Sequence, residues 1–76
     1  MNKKRRDEIQ KAIDKIEGVI DDIDSIKDDE ENAMDSMPES LQESQRYEEM
    51  EDAVDNLSNA IDNLRDAIDS LDEAKK

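Results

Sequence analysis

Asp14 and Asp21 in the first half of the chain, and Asp55, Asp62 and Asp69 in the second, recur at intervals of seven residues. On a helix seven residues make two turns, so each series becomes a row with a carboxylate every ~10.5 Å. Such a row has two possible uses. It can imitate a phosphate backbone and occupy a basic nucleic-acid groove, or it can simply keep one helix face solvated. Aspartate is a poorer helix former than glutamate. Its repeated choice suggests that short, rigid carboxylates are useful here, and both uses stay open. Asp22, Asp24, Asp28, Asp29, Glu48, Glu49, Glu51, Asp52, Asp66 and Asp72 thicken the negative field.

Other chemistry is poorly provided for. There is no His, no Cys and no Gly-rich phosphate loop, so the serines lack the usual partner base. An acid pair doing catalysis needs a pocket to shift its pKa, and a chain this short has little core to build one. No enzyme activity, no metal site and no cofactor are expected. The acidic run around Asp21–Ser25 carries Ile23 and Ile26 of a helical stripe, unlike a calcium loop, which needs alternating ligands and a central Gly. Arg46 and Tyr47 make a second candidate partner contact, since both residue types are favoured at interfaces. Tyr47 equally suits the end of a core stripe with its hydroxyl in water. Lys3, Lys4, Arg5 and Arg6 open the sequence and Lys75 and Lys76 close it. That basic cluster suits an anion or a solvated end.

The elements that carry these residues follow from the apolar pattern. Ile9, Ile13, Ile16, Ile20 and Ile23 recur at alternating steps of four and three, and then Lys27 and Glu30 interrupt. Tyr47, Met50, Val54, Leu57, Ile61, Leu64, Ile68 and Leu71 continue the same rhythm unbroken. Both are helical stripes of period about 3.5. Ala12, Val19 and Ile26 flank the first, and Ala53, Ala60 and Ala67 flank the second. Gly18 falls on the outer face. Pro38 excludes a helix interior but suits a first turn. Ser36 with Glu39, or Ser40 with Glu43, fits a capping box. The pattern predicts a helix over about 4–34, a turn over about 35–38 and a second helix over about 39–74, with an extra short turn at 38–43 as a variant.

The expected architecture is all-α, an antiparallel two-helix hairpin of coiled-coil type centred near Pro38. Ile9 then faces Ile68, Ile13 faces Leu64, Ile16 faces Ile61, Ile20 faces Leu57 and Ile23 faces Val54. A register shifted toward the N-terminus satisfies the same geometry. Such a hairpin buries little by itself. The flanking rows Ala12, Val19, Ile26, Ala53, Ala60 and Ala67 leave room for another helix. The hairpin is therefore expected to dimerise into a four-helix bundle or to dock on a partner.

Composition agrees. Among 76 residues, 46% are charged and only Tyr47 is aromatic, which argues against β and α/β folds. The net charge is −13, but between residues 7 and 74 there are 24 acids and five bases, a net of −19. That body repels nucleic acid and anionic membranes and attracts basic surfaces. No apolar run reaches the length of a membrane span or forms a signal-peptide core, so a cytoplasmic protein is expected.

The segment Met37–Glu51, running into the Asp-rich heptads, resembles small acidic proteins of bacterial mobile elements and phages. The resemblance implies a two-helix protein without enzyme activity, of a kind that inhibits host nucleases or other defence proteins. The expected function is a protein-binding module that presents Asp14, Asp21, Asp55, Asp62 and Asp69 to the basic groove of a nucleic-acid-binding protein. The alternative is a self-assembling bundle whose acidic face only solvates. A sponge for small nucleotides is disfavoured by the scarcity of bases.

Overall fold

A computed structural model describes residues Met1–Lys76. It contains two α-helices and no strands: α1 (Lys3–Asp35) and α2 (Gln45–Ala74), joined through a single 3₁₀ turn at Glu39–Leu41. Side-chain caps start both helices. The Asn2 side chain accepts from the Arg5 backbone N–H at 2.9 Å, and Ser44 Oγ accepts from that of Tyr47 at 3.3 Å. Each bond satisfies a donor that the first helical turn leaves unpaired.

Residues 36–44 replace the expected turn over about 35–38 with the variant that carries a short extra turn, here 3₁₀ at Glu39–Leu41. α2 begins at Gln45 rather than near 39. Ser36 closes α1, its hydroxyl and its backbone N–H both donating to the Asn32 carbonyl. Pro38 is extended (φ −57°, ψ 145°), which breaks the helical path. The next turn is 3₁₀, with the Leu41 N–H donating to Pro38 O at 2.8 Å. The cap that starts α2 is Ser44; Ser36 and Ser40 do not fill that role.

α1 and α2 lie alongside each other. Placed end to end, helices of 33 and 30 residues would span roughly 95 Å. The molecule measures 59 × 15 × 11 Å. Its radius of gyration is 17.4 Å, against about 11 Å for a compact globule of this length. Near one end of the rod Lys75 Nζ donates to Gln10 Oε1. Further along, Glu17, Ile20 and Asp21 share a cleft with Arg65, Ile68 and Asp69. Towards the connection, Glu31, Met34 and Asp35 share another with Glu51, Val54 and Asp55.

These contacts correct the pairing expected from the stripes. Ile20 lines a cleft with Arg65 and Ile68, and Val54 lines one with Met34, partners a heptad or more beyond the expected Leu57 and Ile23. The facing residues lie at least one heptad further toward the C-terminus. The reason is the connection: the later start of α2 moves the fold's midpoint beyond Pro38.

The core is a thin line. Ile13, Ile20, Met34 and Ile61 are the only buried residues, and the other stripe positions are half-buried. The apolar line therefore runs past the polar interruption and resumes at Met34. Lys27 and Glu30 are half-buried in the line. Lys27 Nζ reaches Glu31 at 3.7 Å.

Candidate functional site

Each aspartate in question directly follows a stripe residue, and each flanking Ala or Val directly precedes one. Successive helical residues are 100° apart, so the two kinds of row fall on opposite sides of the stripe. Because α1 and α2 meet stripe to stripe, the aspartate rows of both helices border the same side of the seam. The clefts have this form. Ile20 and Ile68 line one together with Asp21 and Asp69, and Met34 and Val54 line the other together with Asp35 and Asp55. The result is two shallow acidic clefts along the rod.

The two clefts differ in charge. The one near the connection encloses about 330 Å³ and is lined by Glu31, Asp35, Glu51 and Asp55, with no base. The other encloses about 480 Å³ and adds Arg65 to Glu17, Asp21 and Asp69. Arg65 makes no ion pair within 4.0 Å; the pairs present are Lys4–Glu8, Lys27–Glu31, Lys75–Asp72 and Lys76–Glu73. No three carboxylates converge closely enough to hold a metal ion. No buried polar side-chain atom lacks a hydrogen-bond partner.

Comparison with known protein families, curated proteins and solved structures finds no match. Any functional assignment therefore rests on the geometry of the chain itself.

The structure brings Asp21 and Asp69 together in one cleft and places Asp55 in the other. Asp14 and Asp62 are exposed and lie outside both. Asp14 Oδ1 accepts from Gln10 Nε2 at 3.0 Å. Arg46 is exposed and unpaired, whereas Tyr47 is half-buried at the start of α2. Of the flanking rows, Ala12, Ala60 and Ala67 are half-buried. Ala53 is exposed, and Val19 and Ile26 are 47% and 55% exposed. No helix is long and apolar enough to cross a membrane.

Glu17, Glu31, Asp35, Glu51 and Arg65 were not singled out by the aspartate spacing, yet they line the clefts. Two signals pointed to them. Asp35 continues the seven-residue series of Asp14 and Asp21 through Asp28. Glu17, Glu31, Glu51 and Arg65 each stand four residues before a cleft aspartate, on the same helix face.

Proposed function

We propose that the chain is a non-enzymatic binding module, an antiparallel hairpin whose acidic clefts dock on a basic surface of a nucleic-acid-binding protein. The observation that carries this is the cleft of Glu31, Asp35, Glu51 and Asp55, which gathers four acids and no base around an apolar floor. Like charges on successive turns of one helix oppose folding by about 0.2–0.5 kcal/mol per pair, and a partner with a basic surface would neutralise them. The narrower form of the proposal is an inhibitor that occupies the site of a nucleic acid on such a protein in a bacterial cytoplasm.

The test is a titration against a panel of bacterial nucleases and nucleoid proteins with basic grooves. Binding should be competed by DNA or RNA. It should weaken at least about tenfold between 50 and 500 mM salt, as expected for contacts between opposite charges. Asp35→Asn, Glu51→Gln and Asp55→Asn together should weaken it further. An affinity that stays flat with salt, or survives the triple substitution, refutes the proposal.

A second reading is a self-assembling four-helix bundle whose charge serves solubility. The exposure of Val19 and Ile26 on the side away from the clefts supports it.

A further inference from the structure

The rod has more surface than its mass warrants. A compact monomer of 8.7 kDa exposes roughly 4,700 Å². This chain exposes 5680 Å². The excess, close to 1,000 Å², is comparable to the ~800 Å² that each partner buries in a standard stable interface. Met1 and Leu41 are exposed at the chain start and in the connection, and within the helices the large exposed apolar side chains are Val19 and Ile26. Val19 and Ile26 project from α1, while Ala53, Ala60 and Ala67 leave α2 low. A face with knobs on one helix and hollows on the other is complementary to itself under a two-fold rotation.

The residues bordering that face choose between the two ways of mating it. Three residues beyond Val19, Ile26 and Ala12 come Asp22, Asp29 and Lys15, all exposed. Three beyond Ala53, Ala60 and Ala67 come Asn56, Asn63 and Ser70, all exposed and uncharged. Setting α1 on the partner's α1 would bring Asp22 and Asp29 of both copies together. Setting α1 on the partner's α2 places those aspartates over Asn56 and Asn63, whose amides can donate to them.

We propose that a second copy of the chain docks on this face, α1 of each copy over α2 of the other, with the acidic clefts of the two copies facing outward in opposite directions. The arrangement rests on the self-assembly reading and makes it compatible with partner binding. The two-fold axis runs along the rod, so Val19 lies over the partner's Ala67 and Ile26 over the partner's Ala60.

Two measurements test it. Sedimentation equilibrium of the full chain should give about twice 8.7 kDa at micromolar concentration. Ile26→Glu, at a position already exposed in the single chain, should weaken association at least about tenfold with helicity kept. The chain has no cysteine, so introduced thiols report the geometry directly. A mixture of Ile26→Cys and Ala60→Cys chains should oxidise to the mixed disulfide dimer. If Val19→Cys and Ile26→Cys chains cross-link instead, the α1-on-α2 arrangement is overturned while self-assembly stands. A fully helical monomer at about 100 μM overturns both.

Discussion

If the acidic cleft near the connection is kept for binding, removing its charge should stabilise the free protein. The perturbation is the triple change Asp35→Asn, Glu51→Gln and Asp55→Asn, which spares Glu31 and its 3.7 Å pair with Lys27. Four unfavourable terms are relieved. Glu31–Asp35 and Glu51–Asp55 are like-charge neighbours four residues apart, each costing about 0.2–0.5 kcal/mol. Asp35 is the last residue of α1, where a negative charge opposes the helix dipole by about 0.3–1 kcal/mol. Across the cleft, charges separated by roughly 10 Å repel by about 0.4 kcal/mol in water before screening. The sum is roughly 1–2 kcal/mol at low salt, which for a domain of this size raises Tm by roughly 5–15 °C. The assay is thermal unfolding followed by circular dichroism at a fixed protein concentration, in 10 mM and in 1 M salt. The Debye length falls from about 30 Å to about 3 Å between these conditions, so most of the gain should vanish at 1 M. A triple variant less stable than the parent at low salt, or one whose gain is undiminished at 1 M, refutes the claim that cleft repulsion opposes folding.

Two other substitutions probe the scaffold. Gly18 sits in mid-α1 with nothing within 4 Å of an added Cβ, so Gly18→Ala should gain about 0.5–1 kcal/mol in urea unfolding. Ile61 is 4% exposed, so Ile61→Ala should cost about 2–5 kcal/mol in the same assay, a large share of the roughly 4–11 kcal/mol available to a chain of this length.

The helices were legible because their apolar residues keep one period over many turns. The expected end of α1 near residue 34 lies beside the observed Asp35. The start of α2 was legible only as the variant with a short extra turn at 38–43, which the 3₁₀ turn at Glu39–Leu41 matches; its cap was not. Ser36, Ser40 and Ser44 all offer a capping hydroxyl, and the first two even have glutamate three residues on. Ser44, with Tyr47 in that place, is the one used. Register failed for a related reason. A repeat of Ile and Leu every seven residues pairs equally well after sliding by one heptad, so the apolar residues alone cannot choose. Irregular positions break the tie. Met34 restores the stripe after Lys27 and Glu30, and a long connection delays α2. The aspartate rows were legible as rows, but which carboxylates share a cleft depended on the register.

The placement of charge also bears on how far assembly can go. Each chain carries −13, so copies repel wherever acidic surfaces meet. The Ala, Val and Ile side is the surface on which a second copy can approach without opposing carboxylate rows. A two-fold contact uses that side on both copies and leaves no equivalent side free, so association closes at two. A head-to-tail contact would press one acidic cleft against another copy and pay repulsion at every added subunit. The alanines and the aspartates of one heptad thus act together. On the proposed arrangement the alanines would admit one neighbour, and the aspartates would oppose further ones while leaving the clefts open to the proposed basic partner.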